Sequence, residues 1–266
     1  MVTKLLEGSD KLEMRSLLYE WLPRKLEILG ANGLILPLLA EGIFPSTTFN
    51  TIGDLQATFT WDADITSRVT YENGVPVVTF DGIDDQADAP DNAYWTRAAA
   101  TVSWGAWIRI VGSQSGFILA KHDATSDQRE WQFQISGADK LASTLVDEDA
   151  VSNHVLQTIA TPAVTADKWA LGVATFDGSA DASGLNLYID GVLVASGDTD
   201  QPNFVSMRDK TESVTLGYQQ TSGPETFYKG KMAGSSLGPF FTFSELNADQ
   251  ILRIYQAEAK LLGVYQ

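Results

Sequence analysis

From residue 61 onward the chain is a succession of short apolar runs of period two, each closed by turn residues, and this pattern admits few folds. In LNLYIDGVLVAS, Leu185, Leu187 and Ile189 alternate with Asn186, Tyr188 and Asp190, and beyond Gly191 the residues Val192 and Val194 alternate with Leu193 and Ala195. Successive side chains of a strand point to opposite faces, so the period predicts two pleated strands. Asp190-Gly191 between them tolerates the positive φ of a tight hairpin. RVTYENGVPVVTFDG repeats the arrangement with Asn73-Gly74 at its tip, and TVSWGAWIRI, GFILAKHD, REWQFQIS, KLASTLVDE, KWALGVATFDGS and SVTLGY read as further strands. Many strands with few helices between them predict an all-β body of two antiparallel sheets packed face to face. Within it Trp104 falls in register with Val102, Ala106, Ile108 and Ile110, whereas Trp107 lies on the other side with Arg109.

The two ends depart from this pattern. SDKLEMRSLLYEWLPRKLEILG predicts a helix capped by Ser9 or Asp10 and stopped by Gly30, with Pro23 kinking or dividing it. From Ala31 to about Thr60 the chain is apolar but irregular and reads as an extended arm. Its Leu34, Leu36, Leu38, Leu39, Ile43 and Phe44, with Leu17, Leu18 and Trp21 of the helix, form a set that a folded monomer has little reason to expose. They cover either this chain's own sheet or a neighbouring subunit. The division expected is therefore 1–60, helix and docking arm, and 61–266, β domain. SELNADQILRIYQAEAKLLG predicts a closing helix with a Ser244 or Asn247 start and a Gly263 stop, laid across a sandwich edge.

Composition narrows the partners. With 18 Lys and Arg against 34 Asp and Glu, the net charge is −16, and residues 1–30 are balanced, so the excess lies beyond them. Such a surface repels phosphate backbones and anionic membranes, which excludes both as expected partners. The absence of cysteine excludes disulfides and thiolate metal sites. The start carries acids where a secretory signal would be apolar, no Asn-X-Ser/Thr sequon occurs, and the best apolar run, GLILPLLAEGIF, is too short to span a bilayer.

The ordered set FDGIDDQADAPD, TVSWGAWIRI, ILAKHD, WALGVATFDGS, LNLYIDGVLVAS, VTLGY and FYKGKMAGSSLGPFFTFSELNADQILRIYQ resembles the laminin-G-like, concanavalin A-like jelly-roll domains over residues 75–266. The resemblance implies a curved two-sheet sandwich that binds carbohydrate or protein, with Ca²⁺ at the rim in some members. GKMAGSSLGPFFTFSELNADQI and ILAKHDATSDQREWQFQISGADKLASTLVDE are similar to laminin-G-like proteins encoded among bacteriophage structural genes. That likeness implies a non-enzymatic virion protein, a capsid decoration or fibre-associated component assembled in the host cytoplasm. Capsid proteins or sister copies in a homo-oligomer are then its partners, and a host-surface glycan a further one. The alternative from another class is a free carbohydrate-binding module or adhesin, Ca²⁺-assisted or not.

The candidate chemistry is sparse. Gly234, Ser235, Ser236, Leu237 and Gly238 match the nucleophile-elbow pattern, but a strand rather than a helix is expected after it, and His122 and His154 both precede the serine. Both histidines are isolated and read as surface or loop residues. A retaining glycosidase needs two carboxylates roughly 5 Å apart on one face. Asp147, Glu148 and Asp149 are adjacent, would alternate faces in a strand, and read as a solvated loop tip. No catalytic residue is expected. Asp81, Asp84, Asp85 and Asp88 crowd one segment and are the candidate Ca²⁺ ligands. Tyr94 and Trp95, in DNAYW, are the candidate exposed rings for stacking on a sugar.

Overall fold

The computed structural model describes residues 8–39, 46–53, 56–62, 65–95, 100–148, 153–201, 203–219 and 226–264. The chain opens with α1 (Gly8–Leu29), followed by β1 (Gly33–Ile35), β2 (Thr48–Asn50), β3 (Ile52–Gly53) and β4 (Thr58–Trp61). Next come β5 (Val69–Glu72), β6 (Val75–Asp81), β7 (Ala87–Ala89), β8 (Val102–Ile110), β9 (Gly116–Asp123), β10 (Gln128–Ser136) and β11 (Lys140–Glu148). After β12 (Asn153–Ala163) and β13 (Ala170–Phe176) stand β14 (Leu185–Ile189), β15 (Val192–Leu193), β16 (Ser196–Asp200), β17 (Val214–Leu216), β18 (Lys229–Ala233) and β19 (Phe240–Thr242). The helix α2 (Ala248–Leu262) closes the chain.

Two antiparallel sheets form the expected sandwich. One runs β16-β12-β11-β10-β9-β17-β7-β4-β2, and the other β15-β14-β13-β8-β18-β6-β5 with β1, β3 and β19 attached beside β8. The hairpins turn where the dipeptides require. Asn73 and Gly74 sit at φ 49° and 81°, and Asp190 and Gly191 at 54° and 81°, the pair of positive values that a two-residue hairpin of this hand needs. Asp190 also ties the turn to its neighbour strand, accepting from the Leu171 amide at 2.9 Å.

Two apolar layers follow from the alternation. Trp104, Trp131, Phe133, Leu145 and Val214 lie in the core between the sheets. On the opposite face of the ten-stranded sheet, Trp107, Leu171, Val173 and Tyr188 pack against Ile28, Leu29, Ile251, Ile254 and Tyr255. The helices thus add a third layer. The closing helix lies over this face and against the edge hairpin at Gly191, with Asn247 and Gln250 forming a capping box and Gly263 ending it at φ 71°.

The leading segment is not a separate arm. The first helix runs unbroken through Pro23, and β1 pairs with both β19 and β3. Leu34, Leu36, Leu38 and Leu39 are buried in this chain's own interior, as is Leu18; Trp21 is half-buried and Leu17 is exposed. Ile43 and Phe44 lie outside the described residues. The boundary expected at residue 60 falls inside β4, which pairs with β2 and β7 in the nine-stranded sheet. Irregular spacing hid these strands, because each is only two to four residues long and shows too little of its period to read.

Candidate functional site

The outer face of the nine-stranded sheet carries a row of polar side chains interrupted at Ala120. Pairing registers place Thr48 opposite Thr60, Thr60 opposite Asp88, Asp88 opposite Thr215, and Thr215 opposite Ala120. The row continues through Gln132, Thr144, Gln157 and Thr199. Residues opposed in a ladder share a face, and the face is fixed by their neighbours: Trp131, Phe133, Val214 and Leu216 on either side are in the intersheet core. Thr48, Thr60 and Thr199 at the ends are exposed, while Thr215, Gln132 and Thr144 at the centre are only 5–8% exposed. The row is thus exposed at its ends and buried at its centre.

Hydrogen bonds hold the row in place. Gln157 Nε2 donates to Thr144 Oγ1 at 2.9 Å, and Thr215 Oγ1 donates to the Tyr218 carbonyl at 2.6 Å. The Gln132 amide nitrogen lies 2.8 Å from His122 Nδ1, which leaves the imidazole proton on Nε2. His122 is buried rather than a surface residue. Burial, with the Arg129 charge, lowers its pKa to about 3, so it stays neutral. His154 is a half-buried residue of β12, not a loop residue. Burial, reinforced by the charge of Asp62, raises the pKa of the Asp88 carboxyl. The signal for this row was present in REWQFQIS, where Gln132 and Gln134 alternate with Trp131, Phe133 and Ile135; which strands would stand side by side was not.

The residues singled out in the sequence fall elsewhere. Trp95 is 0% exposed and sits edge-on to Phe59, Tyr94 and Phe241, and the hydroxyl of half-buried Tyr94 donates to the Asn32 carbonyl. The Trp95 ring is closed to a sugar, and Tyr94 keeps one partly exposed side. DNAYW reads as a polar loop, yet its aromatic end turns inward to fill the core beneath β19.

Asp81, Asp84 and Asp85 do converge, with carboxylate oxygens within 4.8 Å of one another, whereas Asp88 belongs to the polar row on the other sheet. The donors do not fit a Ca²⁺ ion. Asp81 Oδ1 accepts from the amides of Ile83 and Asp84, and Asp85 Oδ2 from that of Asp81. Arg68 pairs with Asp81 Oδ2 at 3.0 Å and with Asp85 Oδ1 at 3.2 Å. The guanidinium already holds two of the three carboxylates.

Asp147 and Glu148 are buried at the end of β11, not solvated, and Asp149 lies outside the described residues. Asp147 accepts from Arg208 Nε at 2.6 Å and from the Val205 amide at 2.9 Å; Glu148 accepts from Arg129. Burial pushes the Asp147 carboxyl up, but the Arg208 and amide donors outweigh it and hold the group below its usual range. Each acid is bound to its own arginine, so the two make no acid and nucleophile pair. Ser236 lies in a buried 3₁₀ turn, Ser235–Leu237, beneath α1. Its hydroxyl has no hydrogen-bond partner among the described residues, and therefore no histidine to serve as base; its carbonyl accepts from Lys25.

A two-sheet sandwich with this strand order and a polar row on one outer face defines a lectin-like class of β protein. The family described as the concanavalin A-like lectin/glucanases superfamily, laminin G type, matches residues 80–236, and the chain belongs to it. No curated protein matches the chain. Among solved structures, botulinum neurotoxin type C, which enters cells dependent upon interaction with two ganglioside molecules, is similar with a TM-score of 0.54 and 14% identity over 85% of this chain and 52% of that one. Trypanosoma rangeli sialidase, in complex with 2,3-difluorosialic acid, is similar with a TM-score of 0.56 and 10% identity over 94% of this chain and 39% of that one. The chain thus spans about half the length of the first and less of the second, and at these identities the likeness is one of fold.

Proposed function

We propose that this chain is a non-catalytic carbohydrate-binding module that takes an extended glycan along the polar row of the nine-stranded sheet. The observation that carries the reading is the register that lines up Thr60, Asp88, Gln132, Thr144 and Gln157 on one face. Amides, hydroxyls and a carboxylate in a line match the repeating hydroxyls of a sugar chain, each direct hydrogen bond contributing about 1 kcal/mol. Asp88 is the one carboxylate of the row itself, with the Asp62 charge close enough to act on it; retention needs two carboxylates about 5 Å apart on the substrate, and incubation with the glycan tests whether these two act as such a pair. The neurotoxin's ganglioside interaction is a precedent on the same architecture and carries no residue over.

The expectation of a virion component came from the likeness to proteins encoded among bacteriophage structural genes, and its docking arm from a leading segment in need of shelter. Leu34, Leu36, Leu38 and Leu39 have that shelter in their own chain, so the binding reading is the one put forward. The test is a glycan array followed by calorimetry on the best ligand. The double variant D88A/Q157A is expected to weaken binding about tenfold with its thermal midpoint preserved. A glycan held equally by variant and wild type, or hydrolysed on incubation, would overturn the reading.

A further inference from the structure

The geometry points to a second binding surface, a cleft between α1 and α2 on the side of the molecule away from the polar row, that docks an acidic peptide segment carrying an apolar side chain. Two adjoining hollows make up the cleft. One of about 480 Å³ is lined by Trp21, Arg24, Glu27, Arg253, Gln256 and Lys260 among others. The second, of about 270 Å³, shares Trp21, Arg24 and Lys260 with it and adds Leu17, Glu20 and Leu261. From Leu17 to Glu27 the first helix rises about 15 Å, the reach of a short extended peptide.

Charge selects the occupant. Lys25, Arg68, Arg109, Lys121, Arg129, Arg208 and Lys231 are each in an ion pair. Arg24, Arg253 and Lys260 are in none among the described residues, as are Lys140, Lys168, Lys210 and Lys229 elsewhere, but these three are exposed and line the same hollow. Three unpaired cations against Glu20 and Glu27 leave the cleft with one net positive charge on a chain of net charge −16, and they sit beside an apolar end where Leu17 is 41% exposed. Trp21 bridges the two ends. Its indole N–H is fixed on Glu258 Oε1 at 2.8 Å, so the ring is pre-oriented as a wall of the cleft. A polyanion without apolar groups would use only one end; a peptide with an apolar side chain among carboxylates uses both. The acidity elsewhere is screened beyond about 8 Å at physiological salt, so it does not cancel the local attraction.

The test uses the full chain and a short fluorescent peptide in which one Phe is flanked by Glu residues, followed by anisotropy. Binding is expected to weaken about tenfold in R24E/R253E, to weaken likewise when the peptide's Glu residues become Gln or its Phe becomes Gly, and to fall with added salt. D88A/Q157A is expected to bind the peptide as wild type does, which separates this surface from the polar row. Three results would overturn the proposal: a folded R24E/R253E protein that binds equally well, polyglutamate without Phe that binds as tightly as the peptide, or a dimer of this chain that the same substitutions dissociate.

Discussion

The ammonium of Lys25 lies 2.9 Å from a carboxylate oxygen of Glu258, and both side chains are 0% exposed. The pair joins the first helix to the last. Glu258 also accepts from the indoles of Trp21 at 2.8 Å and Trp107 at 2.7 Å, and Lys25 donates to the carbonyls of Ser236 and Gly238 over the ring of Phe240. One knot therefore fixes both helices, the sheet and the 3₁₀ turn. Burial lowers the pKa of Lys25, against the charge of Glu258, which raises it. A buried pair of this kind is costly to break from one side, because the partner's charge is left without its counter-ion. Lys25→Met is expected to cost about 3–5 kcal/mol in urea unfolding, and K25M/E258Q to recover part of it. A double variant as unstable as the sum of the singles would show that the two groups act independently.

Removing residues 1–60 is expected to abolish cooperative unfolding rather than release a smaller domain. The cut takes away β1, which pairs with β19, together with β2, β3 and most of β4, which pairs with β7, and with them the helix that buries Leu29 against the sheet. Exposed edges and an uncovered apolar face favour aggregation. A soluble truncated chain with a single sharp transition would show that the leading segment is dispensable.

Gly238 tests the same junction at one atom. A Cβ there would overlap the carbonyl of Leu36, in backbone that has no room to move because Leu36 donates its amide to the Pro239 carbonyl at 2.7 Å. Gly238→Ala is expected to destabilise the fold by about 3 kcal/mol, measured by chemical denaturation.

His122 makes stability depend on pH in a defined window. Its folded pKa of about 3 lies below the ordinary value of 6.5, so the unfolded chain binds a proton that the folded chain refuses. Stability from this group is complete above 6.5 and declines as the pH falls toward 3. Over that range His122→Asn is expected to remove roughly 3–5 kcal/mol of the acid-induced loss. The imidazole resonances are expected not to titrate above about pH 4, and a midpoint near 6.5 would contradict the burial argument.

Calcium is expected to leave the thermal midpoint of the wild-type chain unchanged at millimolar concentration, because Arg68 occupies Asp81 and Asp85. Arg68→Ala frees Asp81 and Asp85, which with Asp84 lie within 4.8 Å of one another, and there calcium is expected to raise the midpoint, as any ligand of the folded state alone does. A shift of equal size in both proteins would place the cation elsewhere.

Both hairpin turns, the inward and outward assignments of Trp104 and Trp107, and the stops of α2 were readable because each rests on local geometry: a period of two, a pair of positive φ values, a capping box. DNAYW misled for a related reason. A loop of polar residues is normally exposed, and only the packing against Phe241 of β19 and Phe59 of β4 decides that Trp95 faces in. Asp147, Glu148 and His122 look like surface groups by type; their burial depends on Arg208, Arg129 and Gln132 reaching them from 61, 19 and 10 residues away.

The amino-acid sequence by itself determined the class of fold, since alternation and turn chemistry act over a few residues and leave a stack of antiparallel strands little choice. The tertiary structure alone decided the polar row, the Lys25–Glu258 knot and the burial of the leading strands. Each of these depends on which distant segments become neighbours, and that is set by the summed packing of two sheets and two helices rather than by any pattern along the chain.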